Sequence, residues 1–183
     1  MDSVEWLSVA GGLTNTCAVD TITGVYCVGQ ASTGANGNGD LTNNVYGMNF
    51  MALALVSPYL IKSRGNTMYI SSMNGTAFVW GDNSSGQTGL LVEETVVPRA
   101  TLLEITGIVA ITPGVNFACA LQTNFNVMCW GDGSMGQLGL GKPVAMAAPT
   151  QVPAGDGVSW YSIGAGYSAM YGNQVVPPEA TMP

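Results

Sequence analysis

CALQTNFNVMCWGDGSMGQLGLG, residues 119–141, sets Cys119 and Cys129 ten positions apart and closes its second apolar run on Trp130 and Gly131. It then breaks into a glycine-rich turn, Gly136, Gln137, Leu138, Gly139, Leu140, Gly141. The short apolar runs 119–121 and 127–130 flank the polar turn Asn124, Phe125, Asn126, which is the signature of two strands joined by a hairpin. Two strands and a shaped loop are therefore expected here, and the rest of the chain reads as further copies of this unit or as the material that joins them.

The copies are found by looking for a period before assigning elements. Cys17, Met68, Cys119 and Met170 stand at intervals of 51, each preceded by a small residue, Thr16, Thr67, Ala118 and Ala169. The loop glycines Gly29, Gly34, Gly37 and Gly39 return as Gly131, Gly136, Gly139 and Gly141. A middle copy supplies Gly81, Gly86, Gln87 and Gly89, shifted by one extra residue that is assigned to its hairpin. The run Trp6-Leu7-Ser8-Val9-Ala10-Gly11-Gly12 comes back as Trp160-Tyr161-Ser162-Ile163-Gly164-Ala165-Gly166. With 25 glycines and 9 prolines, no long helical period survives. The best helix candidate, 48–60, falls where the repeat wants a strand and is read as extended. Small antiparallel sheets recurring at about 50 residues pack radially as propeller blades. The fold class expected is all-β, three consecutive propeller blades plus the first strands of a fourth.

Composition narrows the partners. Hydrophobic residues make up 47% and charged residues 8%, with 11 acidic against 4 basic side chains for a net charge of −7. That balance repels phosphate backbones, so no nucleic acid partner is expected. No apolar run reaches the roughly 18 to 20 residues of a membrane helix, and the opening Met-Asp-Ser-Val-Glu-Trp has neither the basic nor the apolar part of a signal peptide. No membrane span is expected, and a secreted reading implies a mature fragment.

The apolar strand ending in Ala-Gly-Gly, then Thr-Cys-Ala-Val or Ala-Cys-Ala-Leu, then Tyr-Cys-Val-Gly or Met-Cys-Trp-Gly, then Gly-x-x-Gly-Gln-Leu-Gly, resembles the regulator of chromosome condensation repeat, in a secreted, disulfide-containing variety. The resemblance covers copies at 4–49, 50–105 and 106–156 and a partial one at 157–172, together a single repeat domain 1–172, followed by a Pro-rich tail, 173–183. The third copy is nearest the pattern. The first departs most, with Val28 in the tryptophan position and Ala35, Asn36 in place of Gln, Leu. Family members of this kind look like seven-bladed propellers, which at about 50 residues per blade take roughly twice this length. The resemblance thus implies a fragment of a longer chain, a half-ring completed by a second copy, or an open arc that associates through its edges.

Cys17 with Cys27, and Cys119 with Cys129, each bracket a hairpin of the same length, and residues opposite one another on antiparallel strands come within disulfide range. Two disulfides are expected, and with them an oxidising compartment, so the localisation expected is secreted or cell surface. The middle copy replaces both members, read here as Met68 and Val79. The competing reading is four buried free cysteines. A metal site is not expected, since the chain has no histidine. The acceptor motifs at Asn74 (Asn-Gly-Thr) and Asn83 (Asn-Ser-Ser) lie in a hairpin turn and a glycine loop, so both are expected to be exposed and open to glycosylation.

Chemistry is scarce. Without histidine there is no Ser/His/Asp or Cys/His system, and the only adjacent carboxylates, Glu93 and Glu94, point to opposite faces of an extended chain. No catalytic residues, no metal and no cofactor are assigned. The glycines Gly34, Gly37, Gly39, Gly86, Gly89, Gly136, Gly139 and Gly141, with Gln87 and Gln137, are assigned to loop structure rather than to phosphate or calcium. Trp6, Trp80, Trp130 and Trp160 are expected to pack between blades, with a ligand platform as the alternative. The reading is a non-enzymatic extracellular scaffold that contacts protein, through self-association or the remainder of a longer chain, with glycan as a further candidate partner. The alternatives are a soluble recognition module, lectin or propeller-type protein inhibitor, and, less favoured, a nucleotide exchange factor.

Overall fold

The structure, a computed structural model, describes residues 5–21, 24–42, 44–51, 58–154 and 159–175. Within them every regular element is a strand. β1 (Trp6–Gly11), β2 (Asn15–Asp20), β3 (Val25–Gly29) and β4 (Val45–Met51) form the first antiparallel sheet in sequence order. β5 (Pro58–Arg64), β6 (Thr67–Ser72), β7 (Ala77–Asp82) and β8 (Val96–Leu102) form the second. β9 (Ile108–Pro113), β10 (Phe117–Gln122), β11 (Val127–Gly131) and β12 (Met146–Gln151) form the third. β13 (Ser159–Ala165) and β14 (Met170–Val175) make a two-stranded fourth. Of the stretch 48–60 expected to be extended, the two ends belong to β4 and β5, and 52–57 lie outside the described residues. β14 reaches Val175, into the stretch expected to leave the fold, and the proline tail 176–183 lies outside the described residues.

The sheets stack face against face, and three apolar layers hold them. Cys17, Val19, Val25, Cys27 and Ala35 of the first sheet meet Ile61, Met68, Ile70 and Trp80 of the second. Tyr69, Val79 and Val97 of the second meet Ile111, Ala118, Ala120 and Trp130 of the third. Phe117, Cys119, Cys129, Leu138 and Val152 of the third receive Trp160, Ile163 and Met170 of the fourth. A sheet covered on both faces loses the polar-apolar alternation of a half-exposed strand, and β6 is accordingly buried at every position. The first strands β1, β5, β9 and β13 touch in succession, so they form the inner wall of the arc. This is a partial propeller of three blades and half of a fourth.

Strand register corrects the period. Cys17 lies opposite Cys27 and Cys119 opposite Cys129, but in the second blade the same rung is Tyr69 opposite Val79, while Met68 lies opposite Trp80. On the inner side the equivalent rungs are Ala10 with Cys17, Lys62 with Tyr69, Thr112 with Cys119 and Gly164 with Tyr171. The equivalent positions are therefore 17, 69, 119 and 171, and the extra residue of the second copy precedes its hairpin instead of lying inside it. Met68 and Met170 align with Thr16 and Ala118. A spacing averaged to 51 hides a one-residue offset, and on a strand one residue is the difference between the two faces.

Candidate functional site

The junction between consecutive blades is built the same way twice. The indole nitrogen of Trp80 donates to the Ala35 carbonyl of the preceding loop at 2.9 Å, and that of Trp130 donates to the Gln87 carbonyl at 2.8 Å. Both indoles are fully buried, so each N–H would be costly to leave unpaired, and the loop carbonyl supplies its partner. The Tyr69 hydroxyl donates to the same Gln87 carbonyl, and burial pushes its phenol far above the ordinary tyrosine value. Tyr69 thus fills, in the second blade, the position that a disulfide half fills in the first and third.

Each glycine loop is shaped to receive the next blade. Gly34, Gly37, Gly39, Gly86, Gly89, Gly136, Gly139 and Gly141 all take the left-handed backbone conformation. Gly89 needs glycine twice over, because a Cβ there would stand 2.8 Å from the Trp130 indole nitrogen. In the third loop Asp132 accepts the Ser134 N–H at 2.9 Å and the Gln137 side-chain amide at 3.0 Å, while the Gln137 side-chain oxygen accepts the Met135 N–H at 2.8 Å. The Ser134 N–H, against an opposing cost of burial, holds the Asp132 carboxyl below the usual carboxylate range. The second loop repeats this with Asp82 on the Ser84 N–H and Gln87 on the Ser85 N–H. The first loop lacks both residues and uses another set that sequence reasoning missed: Asn15 donates to the Asn36 side chain at 2.7 Å, and Asn36 donates to the Gly29 carbonyl at 3.1 Å. The cue was Asn15, a polar residue standing where the third blade carries Phe117. That loop also latches outward, with Gly39 N–H on the Pro98 carbonyl of β8 at 2.8 Å.

Cys17 is bonded to Cys27 and Cys119 to Cys129, with Cα atoms 4.1 Å apart in each pair, and all four are buried. No free cysteine is present among the described residues. The two acceptor asparagines separate. Asn74 is exposed at the tip of its hairpin, its side-chain oxygen accepting the Thr76 N–H at 3.1 Å. Asn83, expected to be exposed, is buried: its amide nitrogen donates to the Glu94 carbonyl at 2.9 Å, and its oxygen accepts the Thr88 N–H at 3.1 Å. In the folded chain it staples the loop, and its nitrogen is turned away from modification.

The four tryptophans also separate. Trp80 and Trp130 pack between blades, and Trp160 lies in the layer between the third and fourth sheets. Trp6 does not: it is 52% exposed and rests edge-on against Tyr26 of its own sheet, at a centroid distance of 5.5 Å. The reason is positional, since no described sheet precedes the first.

Both ends of the arc carry residues whose counterparts inside it are covered. Val9 is 67% exposed, although the same rung holds Ile61 at 2%. Tyr171 is 65% exposed, although its counterpart Tyr69 stands at 1%. Between the ends, the bulge of each inner strand pushes out one large residue, Leu7, Tyr59, Val109 and Tyr161. Among the described residues no group of three or more His, Cys, Asp or Glu side chains converges on a common point. Among the described residues no helix is long and apolar enough to cross a membrane.

Residues 126–170 match the regulator of chromosome condensation (RCC1) repeat. That stretch carries an RCC1-type repeat within a partial propeller. The ultraviolet-B receptor UVR8 of Arabidopsis thaliana is 27% identical over 151 residues, covering 80% of this chain and 34% of the receptor. Among solved structures, human WBSCR16 superposes with a TM-score of 0.81 at 21% identity, covering 95% of this chain and 46% of that one. Prp20p from Saccharomyces cerevisiae, described with its binding to Gsp1p and histones, superposes with a TM-score of 0.82 at 20% identity, covering 93% and 44%. The chain spans about a third of the receptor's length and less than half of either solved chain. At these identities the two superpositions speak for the fold, and the half-coverage agrees with three blades and a half.

Proposed function

We propose that this RCC1-type chain is a non-enzymatic scaffold that binds protein through its open blade edges and loops, in an oxidising, extracellular setting. The observation that carries the reading is the contrast at the ends of the arc. Val9 and Tyr171 are exposed where Ile61 and Tyr69, on the same rungs, are buried. The inner junctions, where the same rungs are buried between sheets, supply the pattern for a contact at each end. The two disulfides support the oxidising compartment, and the exposure of Asn74 suits glycan attachment there. Prp20p, whose description names Gsp1p and histones as what it binds, supports protein as the class of partner. The net charge of −7 disfavours nucleic acid.

Sedimentation velocity of the purified chain at micromolar concentration tests the self-associating form. Dimers or larger species are expected, and a compact monomer throughout would remove self-association from the proposal.

A further inference from the structure

We infer that the groove between the outer strands of the second and third blades is a docking site for a basic segment of a partner protein, one that sets large apolar side chains between lysines or arginines. The inference rests on the chain being a protein-binding scaffold, and not on its self-association.

The loop that follows β7 departs from its copies at one place. The left-handed glycines align Gly37 with Gly89 and Gly139, so Asn38-Gly39-Asp40 of the first loop and Leu140-Gly141-Lys142 of the third correspond to Leu90-Leu91-Val92 of the second. In the first loop that triplet is a latch. Asn38 bridges Arg99 of β8, and the Gly39 N–H donates to the Pro98 carbonyl at 2.8 Å. Among the described residues no such bridge joins the second loop to β12. Instead Leu91 stands 82% exposed where the copies carry glycine, with Val92 exposed beside it. Side chains left in water contribute little to folding, and these two border an opening.

That opening is a groove of about 410 Å³, inside the range of roughly 300 to 1,000 Å³ over which pockets take ligands. It is lined by Leu90, Leu91 and Val92 of the loop, by Leu102 and Ile105 at and beyond the end of β8, and by Pro149 of β12. Both strands belong to blades whose four strands are all described, so the groove lies inside the arc and not at either end of it.

Charge names the occupant. Glu104 lines the groove, and Glu93 and Glu94 follow Val92 at the surface, all three exposed. Among the described residues no lysine or arginine lines it. Arg99, the cation of β8, turns to the first loop, its guanidinium on the Asn38 carbonyl at 3.4 Å. An acidic rim around an apolar floor attracts cations that flank apolar side chains and repels an anionic lipid surface. A second copy of this chain fits poorly. Of its 4 basic residues, Lys62 and Arg64 lie in β5 on the inner wall, Arg99 is engaged in the latch, and Lys142 stands alone.

The test uses the full chain and a fluorescently labelled peptide, Gly-Lys-Arg-Leu-Phe-Lys-Arg-Gly, read by anisotropy. Saturable binding is expected, weakened at least about tenfold when serines replace the Leu-Phe pair, and likewise when glutamates replace the cations. Leu91→Ser, at an exposed position that the fold does not need, is expected to weaken binding at least about fivefold. Leu13→Ser, matched in exposure but in the first blade, is expected to leave it unchanged. The triple variant Glu93→Gln, Glu94→Gln, Glu104→Gln is expected to flatten the salt dependence of the affinity. Absence of saturable binding at millimolar peptide, equal binding of the serine peptide, or equal affinity of the Leu91→Ser and Leu13→Ser chains would each overturn the inference. Sedimentation separates this from the scaffold's self-association: a monomer that binds the peptide keeps the groove site, and an assembling chain that ignores the peptide keeps the scaffold and loses the groove.

Discussion

Tyr69 concentrates the physics of the junction in one side chain. Its ring occupies the volume that a disulfide half occupies in the neighbouring blades, and its hydroxyl shares the Gln87 carbonyl with Trp130. Burial raises the phenol's pKa in the folded chain above its unfolded value, near 10. A group whose folded pKa is raised contributes stability that is complete below the unfolded pKa and is lost as pH rises above it. Stability is thus expected to fall above about pH 10, by about 1.4 kcal/mol per pH unit for one proton. Tyr69→Phe removes that slope and costs about 1 kcal/mol at neutral pH through the lost hydrogen bond. Urea midpoints measured from pH 8 to 11.5 on both proteins check this, and an unchanged slope in the variant would place the alkaline sensitivity elsewhere.

At the scale of the strand, register decides what a residue does. Neighbours along a strand face opposite ways, so Tyr69 and Val79 point into one layer while Met68 and Trp80 point into the other. Replacing the rung, Tyr69→Cys with Val79→Cys, is expected to form a third disulfide, making the protein two hydrogens lighter on a non-reducing mass spectrum. Met68→Cys with Val79→Cys is expected to leave both thiols free. A bridge in the second variant and none in the first would restore the uncorrected alignment. The hairpins, the two native disulfides and the glycine loops were legible in the sequence, because each is a local matter of a turn and its two flanking strands. The rung of the middle blade was not, since identical methionines at 68 and 170 suggested an alignment that the strand pairing refutes. Asn83 was misplaced for a related reason: an acceptor motif on a loop looks exposed until the loop closes over it.

Over the whole molecule, protection follows the stacking. The second and third sheets are covered on both faces, the fourth on one, so amide exchange in the monomer is expected to be slowest in β6, β7, β10 and β11 and at least about tenfold faster in β14. Equal protection across these strands, read by exchange mass spectrometry, would mean that the fourth sheet is covered as well. The sequence by itself determined the all-β repeat, the blade count and the paired cysteines, because these depend on short-range periodicity and on residues about ten apart. The tertiary structure decided which tryptophans cross a junction and which aromatic residues are left bare. Those depend on what lies against each face, and a repeated sequence writes nearly the same residues at Tyr69 and Tyr171 whether or not a neighbour covers them.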